Sequence, residues 1–396
     1  MNSDINPSIH NILKVLLICI GCYFFYSLID GSEFINRHFL DPSREPSRIR
    51  FAGLLVTSIL KYVFLWSSIV TSVFVLYMLF MRRRKFRKKH IIPSAIIIVL
   101  TMVIASGTYS DISVDDLAKE YVNDQSMFVD IDGMQVHYRD EGQGMPVVLI
   151  HGTAASLHTW DDWTSELIKT HRVIRMDLPA FGLTGPNKTR DYSIKSYKKF
   201  MDDFITQMEI DSFHLAGNSL GGNIAWNYAL EHPEKVQKLI LVDASGLPTG
   251  KPKPWIFKMA NIPVLNTGFL YYTPKFLIEK NIKEVYADDS KITDQLLTRY
   301  HKMALREGNR QAFVDRAKLD FKQDSLTTID RLKSIQNPTL LIWGEQDDWI
   351  PLVCGKAMNE NIPNSTLEVL KNSGHVPMEE NPEESVEMLK RFLEEN

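Results

Sequence analysis

The sequence predicts an α/β domain, a mostly parallel sheet with helices on both faces and a helical cap, preceded by a membrane region of about three transmembrane helices. Three observations carry this prediction. Uncharged apolar runs long enough to cross a bilayer crowd the first 110 residues. After Ser126, short apolar strands alternate with helical stretches, as in a parallel sheet covered on both faces. From about Leu247 to Leu332 the alternation stops, and only helical pieces such as 274–286, 294–307 and 310–319 follow.

Charge divides the chain at the same place. Residues 1–110 hold 13 Lys/Arg and 5 Asp/Glu, which leaves 32 basic and 43 acidic residues beyond them. An acidic C-terminal part is a poor partner for phosphates, so nucleic acid is excluded as a ligand class. A hydrophobic content of 44% excludes disorder. The three cysteines, Cys19, Cys22 and Cys354, are too few for a disulfide framework and say nothing about the redox compartment.

Taken in order, residues 62–81 and 91–110 are each uncharged for about the length of a bilayer-spanning helix. The first run, 12–29, spans if Lys14 snorkels to the interface; a cleavable signal peptide fits less well, because no small-residue cleavage site follows Ile29. The basic run from Arg82 to Lys89 separates the second and third spans and belongs in the cytoplasm by the positive-inside bias. The C-terminal domain is then expected on the non-cytoplasmic side, periplasmic in a Gram-negative source. Residues 111–125 read as a linker to a domain over 126–396.

That domain opens with MFVDI, Asp132-Gly133 and MQVHYRD, a hairpin with a tight turn. The strands VVLIHG, RVIRMDL, FHLAGNS, KLILVDAS, TLLIWGE and TLEVLKN follow, with helices expected at 160–169, 194–208, 220–231 and 382–394. The cap insertion occupies about 247–332.

The sharpest motif is Gly217-Asn218-Ser219-Leu220-Gly221, where FHLAG ends as a strand and LGGNIAWNYALEH begins as a helix. So tight a turn pushes its middle side chain into an exposed, strained position, and the flanking glycines make room for it. Ser219 is therefore the nucleophile candidate. His151-Gly152, DLPAFGLTGP, the elbow at 217–221, WGEQDDWIP and NSGHVPMEENP span about 230 residues in one order. In that set the chain resembles the α/β-hydrolase family, serine-nucleophile branch.

The resemblance implies an α/β-hydrolase fold and a Ser-acid-His triad, with His375 as base. For the acid it selects Asp347, with Asp348 and Asp243 left open. Two oxyanion donors are required. One is the Leu220 amide at the start of a helix, and the other comes from the loop after His151-Gly152, from Thr153 or else Ala154. His151 and Asp177 read as structural residues that shape loops. No metal cluster, phosphate loop or dinucleotide motif appears, so no cofactor is expected.

Serine rather than aspartate at position 219 argues for acyl transfer to water. The expected function is hydrolysis of a carboxylic ester, with an apolar ester as substrate and the lipid bilayer as partner surface. Two alternatives stand beside it: hydrolysis of a carbon–carbon bond in a ring-cleavage product, to whose enzymes Gly-Asn-Ser elbows are similar, and a non-catalytic binding protein. Trp255, Phe257, Phe269, Tyr272 and Phe276 crowd the first part of the cap, and some of them are expected to line an acyl entrance.

Overall fold

The computed structural model describes residues 109–262, 265–319 and 325–395. The three apolar runs and the basic stretch 82–89 lie outside them, except for Tyr109 and Ser110. Among the described residues, no helix is long and apolar enough to cross a membrane.

Helix α1 (Val114–Tyr121) comes first, where the sequence suggested a linker. Ser113 caps it by accepting from the Asp116 amide, and its one buried side chain, Leu117, packs with Leu183 and Met303. The signal is present but short: Val114, Leu117, Ala118 and Tyr121 recur at i, i+3, i+4 and i+7, and Ser113 and Asp116 form a capping pair, yet two turns give too few repeats to stand out from a linker.

The hairpin β1 (Ser126–Ile131) and β2 (Met134–Gly142) turns through Asp132 and Gly133 at φ 52° and 73°, the geometry of a two-residue I′ turn. The Asp130 carboxylate stabilises it by accepting from the Gly133 amide. Strand β3 (Pro146–Ile150) and helix α2 (Asp161–Leu167) precede β4 (Arg172–Met176) and α3 (Ile194–Gln207). Next come β5 (Phe213–Asn218), α4 (Leu220–Glu231) and β6 (Val236–Val242).

Between β6 and β7 the described residues form only helices: α5 (Trp255–Asn261), α6 (Leu265–Tyr271), α7 (Lys275–Lys283), α8 (Asp294–Ala304), α9 (Asn309–Ala317) and α10 (Ser325–Leu332), with one short 3-10 turn. The chain ends with β7 (Thr339–Gly344), α11 (Leu352–Asn361), β8 (Ser365–Leu370), α12 (Pro377–Glu380) and α13 (Pro382–Glu394).

The eight strands form one sheet in the order β1-β2-β4-β3-β5-β6-β7-β8, antiparallel only where β2 meets β1 and β4. Side chains alternate across it. Val148, Ile150, Leu215, Leu239, Leu241 and Leu341 face a core closed by α3, α4 and α11. Val147, Leu149, Ala216, Ile240, Val242 and Ile342 face a second core closed by α2 and α13. Burial on both faces is why these strands read as unbroken apolar runs. The carboxyl ends of β3, β5, β6, β7 and β8 meet at one edge, where loops carry chemistry in such sheets.

Candidate active site

At the end of β5 the chain must reverse into α4 within one residue. Ser219 makes that turn at φ 54°, ψ −112°, a conformation that non-glycine residues adopt only under constraint. The flanking glycines are sterically required: a Cβ on Gly217 would lie 2.3 Å from the Gly221 carbonyl, and one on Gly221 would lie 2.2 Å from the Ile150 carbonyl. The strain is held by neighbours. The Ser219 amide donates to Val242 O at 3.0 Å, while its carbonyl accepts from Ser245 N and Oγ.

His375 sits on the loop after β8. Its Nδ1 lies 2.7 Å from Asp347 Oδ2, and both side chains are buried. The other Asp347 oxygen accepts from the Trp349 and Ile350 amides at 2.7 and 2.9 Å. A carboxylate that only accepts makes Nδ1 the protonated nitrogen and leaves the Nε2 lone pair free. Nε2 is buried with no hydrogen-bond partner among the described residues. No hydrogen bond to Ser219 Oγ is formed; such contacts tighten as the reacting groups engage. The two segments are nevertheless tied, because Asn218 Nδ2 donates to the His375 carbonyl at 3.0 Å.

The three carboxylates left open by the sequence separate cleanly. Asp347 touches His375; Asp348 is exposed and paired with Lys251 at 3.0 Å. Asp243 is buried, with a carboxylate oxygen within 4.8 Å of Asp347 and His375 ligand atoms. Burial first, and the Asp347 charge second, push the Asp243 carboxyl well above the usual carboxylate range. Its Oδ1 accepts from the Gly344 amide. The same three residues are the one set placed for a metal among the described residues, yet the Asp347–His375 hydrogen bond already occupies the atoms an ion would take.

Leu220 opens α4, so its amide is among those that no helix carbonyl reaches. Thr153 lies on the loop after β3, half buried, beside Ala154 at φ 62°. This loop presses on the elbow: a Cβ on Gly152 would fall 2.7 Å from Asn218 Oδ1 and 3.2 Å from Ser219 Cβ. His151 shapes the loop. Its Nε2 accepts from the Leu178 amide, which puts the proton on Nδ1, 2.7 Å from the Gly152 carbonyl. Burial lowers its pKa and keeps it neutral. Asp177 accepts from the Leu157 and Leu183 amides and meets His137 Nδ1, binding three segments at one point.

Sequence reasoning missed Glu380. Buried in α12, it accepts from Gly374 N at 2.6 Å and from Ala287 and Asp288 N at 2.8 and 2.7 Å. The His375 amide donates to Val285 O at 2.7 Å. The base therefore hangs between the sheet and the α7–α8 connection. Only an acidic residue beside a proline-flanked turn hinted at this in the sequence.

One wall of the site is aromatic. Trp349 lies 5.7 Å from the His375 ring, Phe257 5.8 Å from Trp349, Phe313 5.6 Å from Phe257 and Phe269 5.7 Å from Phe313, as ring-centroid separations.

Residues 145–382 match the family described as alpha/beta hydrolase fold. The 2-hydroxy-6-oxononadienedioate/2-hydroxy-6-oxononatrienedioate hydrolase 2 of Pseudomonas putida is 30% identical over 269 residues, which are 66% of this chain and 92% of that protein. The structure of a meta-cleavage product hydrolase from Pseudomonas fluorescens is 25% identical with a TM-score of 0.58, covering 67% of this chain and 97% of that one. A thermophilic esterase from Thermogutta terrifontis shares the fold at 22% identity and a TM-score of 0.58, over 68% of this chain and 98% of that one.

Proposed function

The chain belongs to the α/β-hydrolase family, and from that premise we propose a membrane-anchored serine hydrolase that cleaves carboxylic esters with an apolar acyl part. Ser219 Oγ attacks the ester carbonyl while His375 Nε2 takes its proton. Asp347 steadies the imidazolium, and the Leu220 and Thr153 amides receive the oxyanion. The proton passes from His375 to the departing alkoxide, leaving an acyl group on Ser219. Water then attacks that acyl group through the same base, which releases the acid and restores the serine.

The observation that carries the ester reading is the aromatic row from Trp349 through Phe257 to Phe313, partly exposed rings that offer an acyl chain apolar surface beginning beside the base, with the buried Phe269 behind them. A second reading has support of its own. The Pseudomonas putida relative is named for hydrolysis of an oxo-diacid, and the Gly-Asn-Ser elbow suits that chemistry as well. A diacid needs buried positive charge, however. Two cap guanidiniums, Arg310 and Arg299, are already engaged by Asp111 and Glu379.

The anchoring rests on the runs 12–29, 62–81 and 91–110, and the basic stretch 82–89 favours a hydrolase domain outside the cytoplasm. Purified full-length protein, offered nitrophenyl esters of graded acyl length and a vinylogous oxo-diacid, tests the choice. Turnover rising with acyl length supports the ester reading; turnover of the diacid alone sinks it.

A further inference from the structure

The cap carries a charge opposite to that of its domain. Residues 251–283 contain six lysines and a single acidic residue, Glu279, within a C-terminal part where acids outnumber bases. Some of this charge is balanced. Lys251 pairs with Asp348, Lys275 with Asp294, and Lys283 with Glu279 and Asp289. Lys253, Lys258 and Lys280 have no carboxylate partner among the described residues, and all three are exposed.

Lys258 and Lys280 stand among exposed apolar groups, and Lys253 lies two residues before Trp255. Phe276, Lys280 and Lys283 recur at four- and three-residue steps along α7, hence on one helix face, and Phe276 is 56% exposed. Lys280 Nζ lies 4.6 Å from the ring centroid of Trp255, which joins this face to α5 and to Lys258 one turn on. Ile262, at the end of α5, is 46% exposed. Bulky apolar groups with lysines that stretch past them suit a bilayer interface, where the ring enters the acyl boundary and the ammonium reaches the headgroups.

The first described residue is held by the cap as well. Tyr109, next to last in the apolar run 91–110, donates its amide to the Tyr271 carbonyl at the end of α6. Its carbonyl accepts from Arg310, and its ring meets the edge of His301 at 4.7 Å. Three contacts thus hold Tyr109, and all three are to cap residues.

We propose that the α5–α7 face of the cap rests on an anionic bilayer, with Phe276 inserted and Lys253, Lys258 and Lys280 on the lipid headgroups. The proposal rests on the anchored reading given above. It adds which face meets the membrane and which lipids it prefers. A lysine near an anionic surface strengthens binding on the order of fivefold, and the three together roughly a hundredfold at low salt.

The test uses full-length protein in which Cys19, Cys22 and Cys354 are alanine and Phe276→Cys carries an environment-sensitive fluorophore. It is reconstituted in phosphatidylcholine vesicles with or without phosphatidylglycerol, the lipids bearing a quencher in their acyl chains. Strong quenching in anionic vesicles, lost in high salt and in Lys253→Gln/Lys258→Gln/Lys280→Gln, supports the proposal. An unquenched label on protein that floats with anionic vesicles overturns it while leaving the anchor intact. Equal quenching in neutral vesicles overturns the preference for anionic lipid. Protein that fails to float with any vesicle overturns the anchor itself, and this surface with it.

Discussion

His375 owes its state to the residues on its two sides. Asp347 accepts from Nδ1, Asn218 holds the backbone carbonyl, and Val285 O takes the backbone amide, so the ring has one free nitrogen and one orientation. Ser219→Ala and His375→Ala are each expected to abolish ester turnover in a folded protein, with the double variant scarcely worse than either, because the groups act as a unit. Multiplicative losses would contradict a shared mechanism. Asp347→Asn should cost on the order of a thousandfold or more in kcat, whereas Asp348→Asn, which breaks only an exposed pair with Lys251, should stay near wild type.

Histidines outside the site have a different signature. Burial lowers His158 to about 4, and its Nε2 lies 3.2 Å from an Arg139 guanidinium nitrogen, an arrangement that requires a neutral ring. Burial takes His214 to about 4 as well. Both folded values lie below the ordinary 6.5, so the unfolded chain binds protons that the folded one refuses. The resulting stability is present above pH 6.5 and is lost as the pH falls toward 4. Denaturant unfolding should show a loss of about 2 kcal/mol per histidine between pH 7 and 5, and a flat profile would contradict the neutral burial of these rings.

At the scale of elements, the lid separates support from capture. Phe269, expected from its sequence neighbours to line an entrance, is 9% exposed and packs with Ile256 and Val314. Phe269→Ala should therefore destabilise the protein by about 3 kcal/mol. Phe276→Ser should leave thermal unfolding unchanged while lowering turnover of bilayer esters more than that of a soluble one. Equal effects of the two changes on stability would show that the cap cluster is drawn wrongly. What was legible and what was not follow the same division. Buried parallel strands announce themselves as apolar runs, and the elbow does so because its glycines answer a steric demand. The helix at Val114–Tyr121 carries apolar helical spacing over two turns only, while α5 and α6 are short and owe their place to tertiary contacts. Among carboxylates, the sequence lacked the burial that raises the Asp243 pKa and the exposure that removes Asp348 from the site.

At the scale of the whole molecule, the proposed division of labour sets a basic, apolar first part to anchor and an acidic second part to hydrolyse. The proposed topology places the stretch 82–89 in the cytoplasm, so a reporter fused after Asn396 should be active only outside it, and cytoplasmic activity would invert the arrangement. The proposed hydrolysis depends on Ser219 being an activated nucleophile at the elbow. The direct measurement is the intact mass and peptide map of folded full-length protein after exposure to a fluorophosphonate. A single adduct on Ser219, absent from Ser219→Ala and slowed strongly in His375→Ala, is the expected result. Folded protein that takes up no adduct, or takes it up elsewhere, would contradict the account.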